Sequence, residues 1–191
     1  MPKPSKRDQL VGAAKELLWE VGFEAMSPRS IQERSAARPG SLYHHFPSKL
    51  AIAQEALQEA SQEEILRLND IFAADIPPLD ALRHYLLLKR NAFQGCRLGR
   101  LVHEASIEQE ALRLPVMAYF EAVRAHISRS LDQAKSEGTL NADLDPKTLA
   151  VSLTALIQGG YVLARTFQDE ALMQQAAEGA LALITEASRT R

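Results

Sequence analysis

A single cysteine, Cys96, stands in 191 residues. An intramolecular disulfide and an all-cysteine metal site are thereby excluded, and a reducing compartment is expected. No apolar run approaches the ~20 residues needed to cross a bilayer, and the N-terminal MPKPSKRDQL has no apolar stretch of the signal-peptide kind. A cytoplasmic protein with no membrane partner is the expectation. Strand patterns are nearly absent, because no segment alternates apolar and polar residues over a strand's length between turn residues. Tandem repeats, low-complexity segments, phosphate-binding loops and metal-ligand clusters are missing too, so no cofactor and no metal is expected. The net charge of -2 argues against a protein that coats nucleic acid by charge alone.

Hydrophobic residues make up 46% of the chain, enough for a sizeable core. They recur at helical spacing. Leu10, Val11, Ala14, Leu17, Leu18 and Val21 form one face of an amphipathic helix. Ser5 with Asp8 makes a capping box at its start, and Gly22 marks its end. Ser27-Pro28 opens a short second helix, a side-chain cap followed by a proline whose missing N–H costs nothing there. Beyond Pro47-Ser48, residues 50–73 run without Gly or Pro as a long helix. The same punctuation brackets further helices at 79–94, 101–107, 108–136 with Pro115 inside, 146–167, which Asp145-Pro146 opens, and 170–187. The expected fold is all-α, with about nine helices. A boundary at the start of the long helix gives an N-terminal domain at 1–48 and a helical body at 49–191.

The head differs in charge from the body. Residues 1–50 hold eight Lys or Arg against five acids, so the remaining residues carry the net negative charge. Three short helices followed by a long one, the second and third separated by Ser35, Ala36 and Ala37, form the layout of a helix-turn-helix. In that motif the second helix of the pair enters the major groove, and neighbouring groups hold phosphates. The segment SAARPGSLYHHFPSKL suits this use. Tyr43 and His44 offer hydrogens to phosphate oxygens, Lys49 offers a charge, and Ser41 permits close backbone approach, while Leu42 and Phe46 face inward. Arg29 is a candidate base reader, since arginine pairs bidentately with guanine. His44 and His45 do not chelate one ion, because neighbours on a helix point about 100° apart.

From Arg7 to Leu57 the chain resembles the DNA-binding domain of TetR/AcrR transcriptional regulators. The signature Tyr-x-x-Phe-x-x-Lys stands as Tyr43, Phe46 and Lys49, with Ala13-Ala14, Leu17, Gly22, Phe23, Ser27 and Ile31 in register. The resemblance implies phosphate contacts from Ser27, Tyr43, His44 and Lys49, and base-facing positions at Arg38, Pro39, Gly40 and Ser41. Three residues depart from the family's habit: Ala36 replaces the usual turn glycine, Arg38 replaces a capping Ser or Thr, and Gln32 replaces an alanine. An alanine held in the left-handed conformation should cost roughly 1 kcal/mol relative to glycine.

A single short recognition helix reads few base pairs, so such motifs act in pairs on palindromic DNA. The last two helices carry broad apolar surfaces with small residues between, Gly159-Gly160 among them. They resemble the dimer-forming helices of the same family, so a homodimer through them is expected. GCRLGRL at 95–101 and IQGGYVLAR at 157–165 resemble segments of the LmrA-like subgroup of that family. They suggest a pocket for a largely apolar small-molecule effector, with Phe93, Cys96, Leu101, Met117, Phe120 and Tyr161 as apolar lining and His103, Glu104 and Gln158 as polar partners.

The expected function is a ligand-responsive transcriptional regulator, commonly a repressor, that leaves palindromic operator DNA when an inducer binds. Two alternatives stand beside it. Arg97 and Arg100 could activate Cys96 as an electrophile or redox sensor, or the chain could be a ligand-binding helical dimer without DNA binding. An enzyme using Cys96, His103 and Glu104 is disfavoured, since nothing in the sequence brings them together.

Overall fold

A computed structural model describes residues 4–37, 40–73 and 75–188. Among them are nine α-helices, two 3-10 helices and no strand. In chain order they are α1 (Lys6–Glu20), α2 (Gly22–Ala25), α3 (Pro28–Arg34), α4 (Ser41–His45), α5 (Lys49–Phe72), α6 (Pro78–Leu86), the 3-10 helices Gly99–His103 and Ala105–Glu108, α7 (Glu110–Ser136), α8 (Pro146–Phe167) and α9 (Ala171–Ala187). The anticipated caps are in place. Ser5 and Asp8 cap α1 reciprocally, Ser27 caps α3 with Pro28 in its first turn, and the Asp145 carboxylate accepts from Lys147 and Thr148 N–H at the start of α8.

Nine α-helices match the expected count, but the membership differs. α2 replaces an anticipated helix over 101–107. Gly22 ends α1 and, at φ 87°, also turns the chain into the four residues of α2. The segment 101–107 is split at Glu104, whose extended backbone separates the two 3-10 helices. The helix expected over 79–94 stops at Leu86. There the Arg90 guanidinium donates to the carbonyls of Tyr85 (2.6 Å), Leu86 (2.7 Å) and Leu88 (2.9 Å), acceptors that another helical turn would have used.

Contacts divide the chain into two units, Met1–Glu63 with Arg97–Tyr119 and Glu64–Cys96 with Phe120–Arg191. The division falls inside α5 and α7, each of which runs unbroken through its boundary residue. In the first unit α1 packs on α2 and α3, and α3 on α4. Its core holds Leu10, Leu17, Leu18, Met26, Ile31, Leu42, Phe46, Ile52 and Leu57, all buried. Each such side chain contributes about 1.5–3 kcal/mol on burial.

The second unit is dominated by the packing of α8 on α9. Leu153, Ile157 and Ala164 meet Met173, Ala177, Ala180 and Ile184, all buried. Gly160 permits this approach within one chain, since a β-carbon there would lie 2.9 Å from the Ala176 methyl and 3.0 Å from the Met173 sulfur. A β-carbon on Gly159 would meet nothing within 4 Å. The two glycines, expected to act together, therefore differ in surroundings: Gly160 is pressed against α9, and Gly159, about 100° round the helix, is open. On the outer face Val151, Ala155, Gly159 and Val162 recur at helical spacing, and Val151, Val162, Leu163 and, on α9, Leu183 are exposed.

Candidate nucleic-acid interface

α3 ends in a hydrogen-bonded reversal. Ala37 N–H donates to the Gln32 carbonyl (3.1 Å) and Ala36 N–H to that of Glu33 (3.4 Å), with Ala36 at φ 51°. This is the Schellman arrangement, and Ala36 holds the left-handed position that usually belongs to glycine. The chain reaches α4 through Gly40, which precedes its first residue at φ 84°. Arg38 and Pro39, anticipated base-facing residues, lie outside the described residues.

α4 is five residues long, little more than one turn, and two anchors fix it. Leu42 is fully buried and Phe46 is 3% exposed. The Arg7 guanidinium lies 5.0 Å from the Phe46 ring centre and makes a bidentate pair with Glu55 at 2.5 and 2.6 Å. With Leu42 and Phe46 turned inward, Tyr43 is left 59% exposed and His44 is exposed beside it. Ser41 is half-buried at the start of the helix. Tyr43 hydroxyl, His44 imidazole and the small Ser41 and Gly40 thus belong to one short element, as the helix-turn-helix reading requires.

The remaining anticipated DNA contacts are placed less simply. Arg29 is exposed on α3 and pairs with Glu33 at 2.8 Å, an exposed i,i+4 pair of small energetic weight. The Ser27 hydroxyl accepts from Ser30 N–H at 3.0 Å, so it is employed in capping α3. Lys49 is the largest difference. Its ammonium donates to the carbonyls of Phe23 (2.9 Å) and Met26 (3.0 Å) and stands 4.2 Å from the Phe23 ring centre. An ammonium has three hydrogens, so one remains for a phosphate while two tie the end of α2 to the start of α5. Arg34, which the sequence reading passed over, faces α1, bonded to Glu20 at 2.7 Å and Glu16 at 3.2 Å. Its guanidinium, first of all, holds the Glu20 carboxyl below the usual carboxylate range.

The nine anticipated ligand contacts divide between the two units. Leu101, His103, Glu104 and Met117 belong to the first, where Leu101 is fully buried, His103 and Met117 are exposed, and Glu104 is bonded to α2. Phe93, Cys96, Phe120, Gln158 and Tyr161 belong to the second. Cys96 and Tyr161 are brought near Tyr85 and Arg90. Burial first, then an electrostatic interaction with Cys96, pushes the Tyr161 phenol above its ordinary value, and burial likewise raises Tyr85. Phe93 is 42% exposed. A groove of about 760 Å³ lies between the end of α6 and α9, lined in part by Arg83, Leu87, Leu88, Arg90, Met173 and Leu181. Its signal in the sequence was the Leu87-Leu88-Lys89-Arg90 run, which reads as ordinary helix until Arg90 is seen to terminate α6.

Residues 10–56 match the family model described as bacterial regulatory proteins, tetR family, and residues 79–180 match the tetracyclin repressor-like C-terminal domain. The chain is 26% identical over 162 residues to the HTH-type transcriptional repressor DhaR of Mycobacterium sp. (strain GP1), spanning 83% of this chain and 82% of that protein. It is 27% identical over 167 residues to the HTH-type transcriptional regulator LmrA of Bacillus subtilis, spanning 84% and 86%. Among solved structures, a TetR transcriptional regulator from Chloroflexus aurantiacus superimposes with a TM-score of 0.87 at 22% identity, over 97% of both chains. Reduced NemR of E. coli gives 0.83 at 24% identity, over 97% and 98%. These two establish the likeness of fold. With both family models matched in order, and a helix-turn-helix whose exposed tip carries Tyr43 and His44, the chain belongs to the tetR family of bacterial regulatory proteins and is a DNA-binding transcriptional regulator rather than an enzyme.

Proposed function

We propose that the chain is a cytoplasmic, homodimeric repressor that binds palindromic operator DNA and is released by a largely apolar small molecule. The division of labour is functional: residues 1–48 read DNA, and residues 49–191 bind the effector and the second copy. The observation that carries the DNA-binding half is the exposure of Tyr43 and His44 on a helix whose inward side chains, Leu42 and Phe46, are buried. On this reading Tyr43 and His44 donate to phosphates, Ser27 and Lys49 support them with what hydrogen-bonding capacity their caps leave free, and Arg29, Arg38, Pro39, Gly40 and Ser41 face the bases.

Dimerisation is supported by the outer face of α8 and α9. Val151, Val162, Leu163 and Leu183 are between 45% and 54% exposed, next to small residues that let another helix approach. Such a contiguous apolar face is rare on a monomer. Two-fold pairing would place two copies of α4 on half-sites about 34–36 Å apart or at multiples of that spacing. Release then needs only a ligand that prefers a different spacing of the heads. α5 is a suitable lever, being one uninterrupted helix whose first turn follows α4 directly. Operator and ligand must weaken each other by the same factor, because the coupling is reciprocal.

The test is selection of duplexes from a random library by the wild-type protein, followed by binding measurements on the winner and a scrambled duplex. A palindromic consensus bound by an even number of chains supports the reading. Recovery of no preferred sequence would refute it.

A further inference from the structure

α2 is a helix of four residues whose preceding residue, Val21, has no side-chain acceptor to offer it. A four-residue helix without a cap is a poor structure, because its first N–H groups have no partners within it. The missing acceptor comes from 80 positions away. One carboxylate oxygen of Glu104 accepts from Glu24 N–H at 3.0 Å, and the same oxygen accepts from the Ser106 hydroxyl at 3.2 Å. Its other oxygen fills the space at Gly22, lying 1.6 Å from where a β-carbon would be.

The arrangement is returned in kind. Glu104 is the residue that opens the 3-10 helix Ala105–Glu108, which also has no side-chain cap of its own. Its second N–H, that of Ser106, donates to the Glu24 carboxylate at 3.0 Å. Each of two short helices therefore receives its N-terminal acceptor from a glutamate on the other. All four residues belong to the first contact unit. At the opposite end of α2, Lys49 holds the carbonyls of Phe23 and Met26. α2 is thus clamped at both ends by residues outside it, and the chain leaves it directly into Ser27, the cap of α3.

We propose that Glu104 and Glu24 form a reciprocal cap through which residues 99–108 hold α2, and with it the α3–α4 pair, in the geometry that recognises operator DNA. Glu104 is a positioning residue for operator binding. This assigns it a role distinct from the ligand contact expected from sequence, and it rests on the reading of α3 and α4 as the DNA-contacting pair. Gly22 is required twice over, for its positive φ and for the room its hydrogen leaves to the Glu104 carboxylate.

The experiment compares Glu104→Gln with Glu104→Ala. Both remove the same negative charge, so any general electrostatic gain toward DNA is common to them. Only the glutamine keeps an oxygen that can accept from Glu24 N–H. The first readout is the ratio of affinities for the selected palindrome and a scrambled duplex, which a mere loss of folded protein does not change. Glu104→Ala is expected to lower that ratio about tenfold and Glu104→Gln about threefold or less, the span of a lost and a weakened helix cap. The second readout is amide hydrogen exchange without DNA. In Glu104→Ala, exchange should accelerate in residues 22–26 as well as in 104–108, since loosening one cap releases the other. An unchanged affinity ratio, or acceleration confined to either 22–26 or 104–108, overturns the proposal. If the wild-type protein selects no duplex, the DNA-contact reading falls, and the exchange result still decides whether the cap is reciprocal.

Discussion

Replacing Ala36 by glycine should stabilise the protein, a sign opposite to that of most substitutions. Ala36 sits at φ 51° and is exposed, so its methyl group carries backbone strain and returns no packing. The left-handed conformation costs an alanine roughly 1–2 kcal/mol, a penalty that glycine escapes. Glycine loses about 0.4–1 kcal/mol more entropy on folding, which offsets part of the gain. The net expectation is about 0.5–1 kcal/mol of added stability, or roughly 1–4 °C in Tm for a chain of this length. Urea denaturation should show a higher midpoint at unchanged slope, since the surface exposed on unfolding is the same. Ala37→Gly is the control. Ala37 does not share the positive φ, so the same substitution one residue later should destabilise by about 0.4–1 kcal/mol. If Ala36→Gly were neutral or destabilising, Ala36 would not be holding the turn in a strained conformation.

Other substitutions separate the roles assigned above. Tyr43→Phe should leave the denaturation midpoint within about 0.5 kcal/mol of wild type, as expected for an exposed position, while weakening binding to operator and scrambled DNA alike. Lys49→Ala should also destabilise the fold by about 1.5–3 kcal/mol, because two carbonyls lose a charged donor; a stability as high as that of Tyr43→Phe would contradict its clamping role. Gly159→Arg places a long cation on the open face of α8, so sedimentation should show monomers with wild-type helicity, and a persistent dimer would move the interface elsewhere. His126 stacks on Phe72 at 4.9 Å and bonds to Asn69 and Arg129; burial first, then the Arg129 charge, lowers its pKa. Stability should therefore fall as pH drops below the unfolded value near 6.5 toward the lower folded value, and His126→Gln should flatten that slope.

Much of the architecture was legible because it depends on local chemistry. Helical spacing and the caps at Ser5, Ser27 and Asp145 place α1, α3, α5, α8 and α9 to within a residue or two. For Ala36 the family resemblance left two outcomes open, a left-handed alanine or an altered turn, and the chain adopts the first, at φ 51°. What escaped was decided by contacts between distant residues. α2 was unreadable because Gly22 looks like a full stop, and the carboxylate that caps the next helix comes from Glu104. The end of α6 was hidden because arginine favours helices, whereas Arg90 here draws its own helix's carbonyls away. Lys49 fits a phosphate-binding signature and a structural clamp equally well in sequence, and the Phe23 and Met26 carbonyls become visible only in the fold. Among the anticipated ligand contacts, residue type alone did not distinguish the buried Cys96, which acts electrostatically on Tyr161, from the exposed Phe93.

The central claim is that two copies of this chain place the Tyr43 and His44 tips on the phosphates of a palindrome. The most direct measurement is a titration of the selected duplex at increasing salt, with the number of bound chains determined at each concentration. The account predicts two chains per palindrome, or a multiple of two, and an affinity that falls with a log–log salt slope of about −3 or steeper, each neutralised phosphate contributing about −0.9. A single bound chain, or an affinity indifferent to salt, would contradict it.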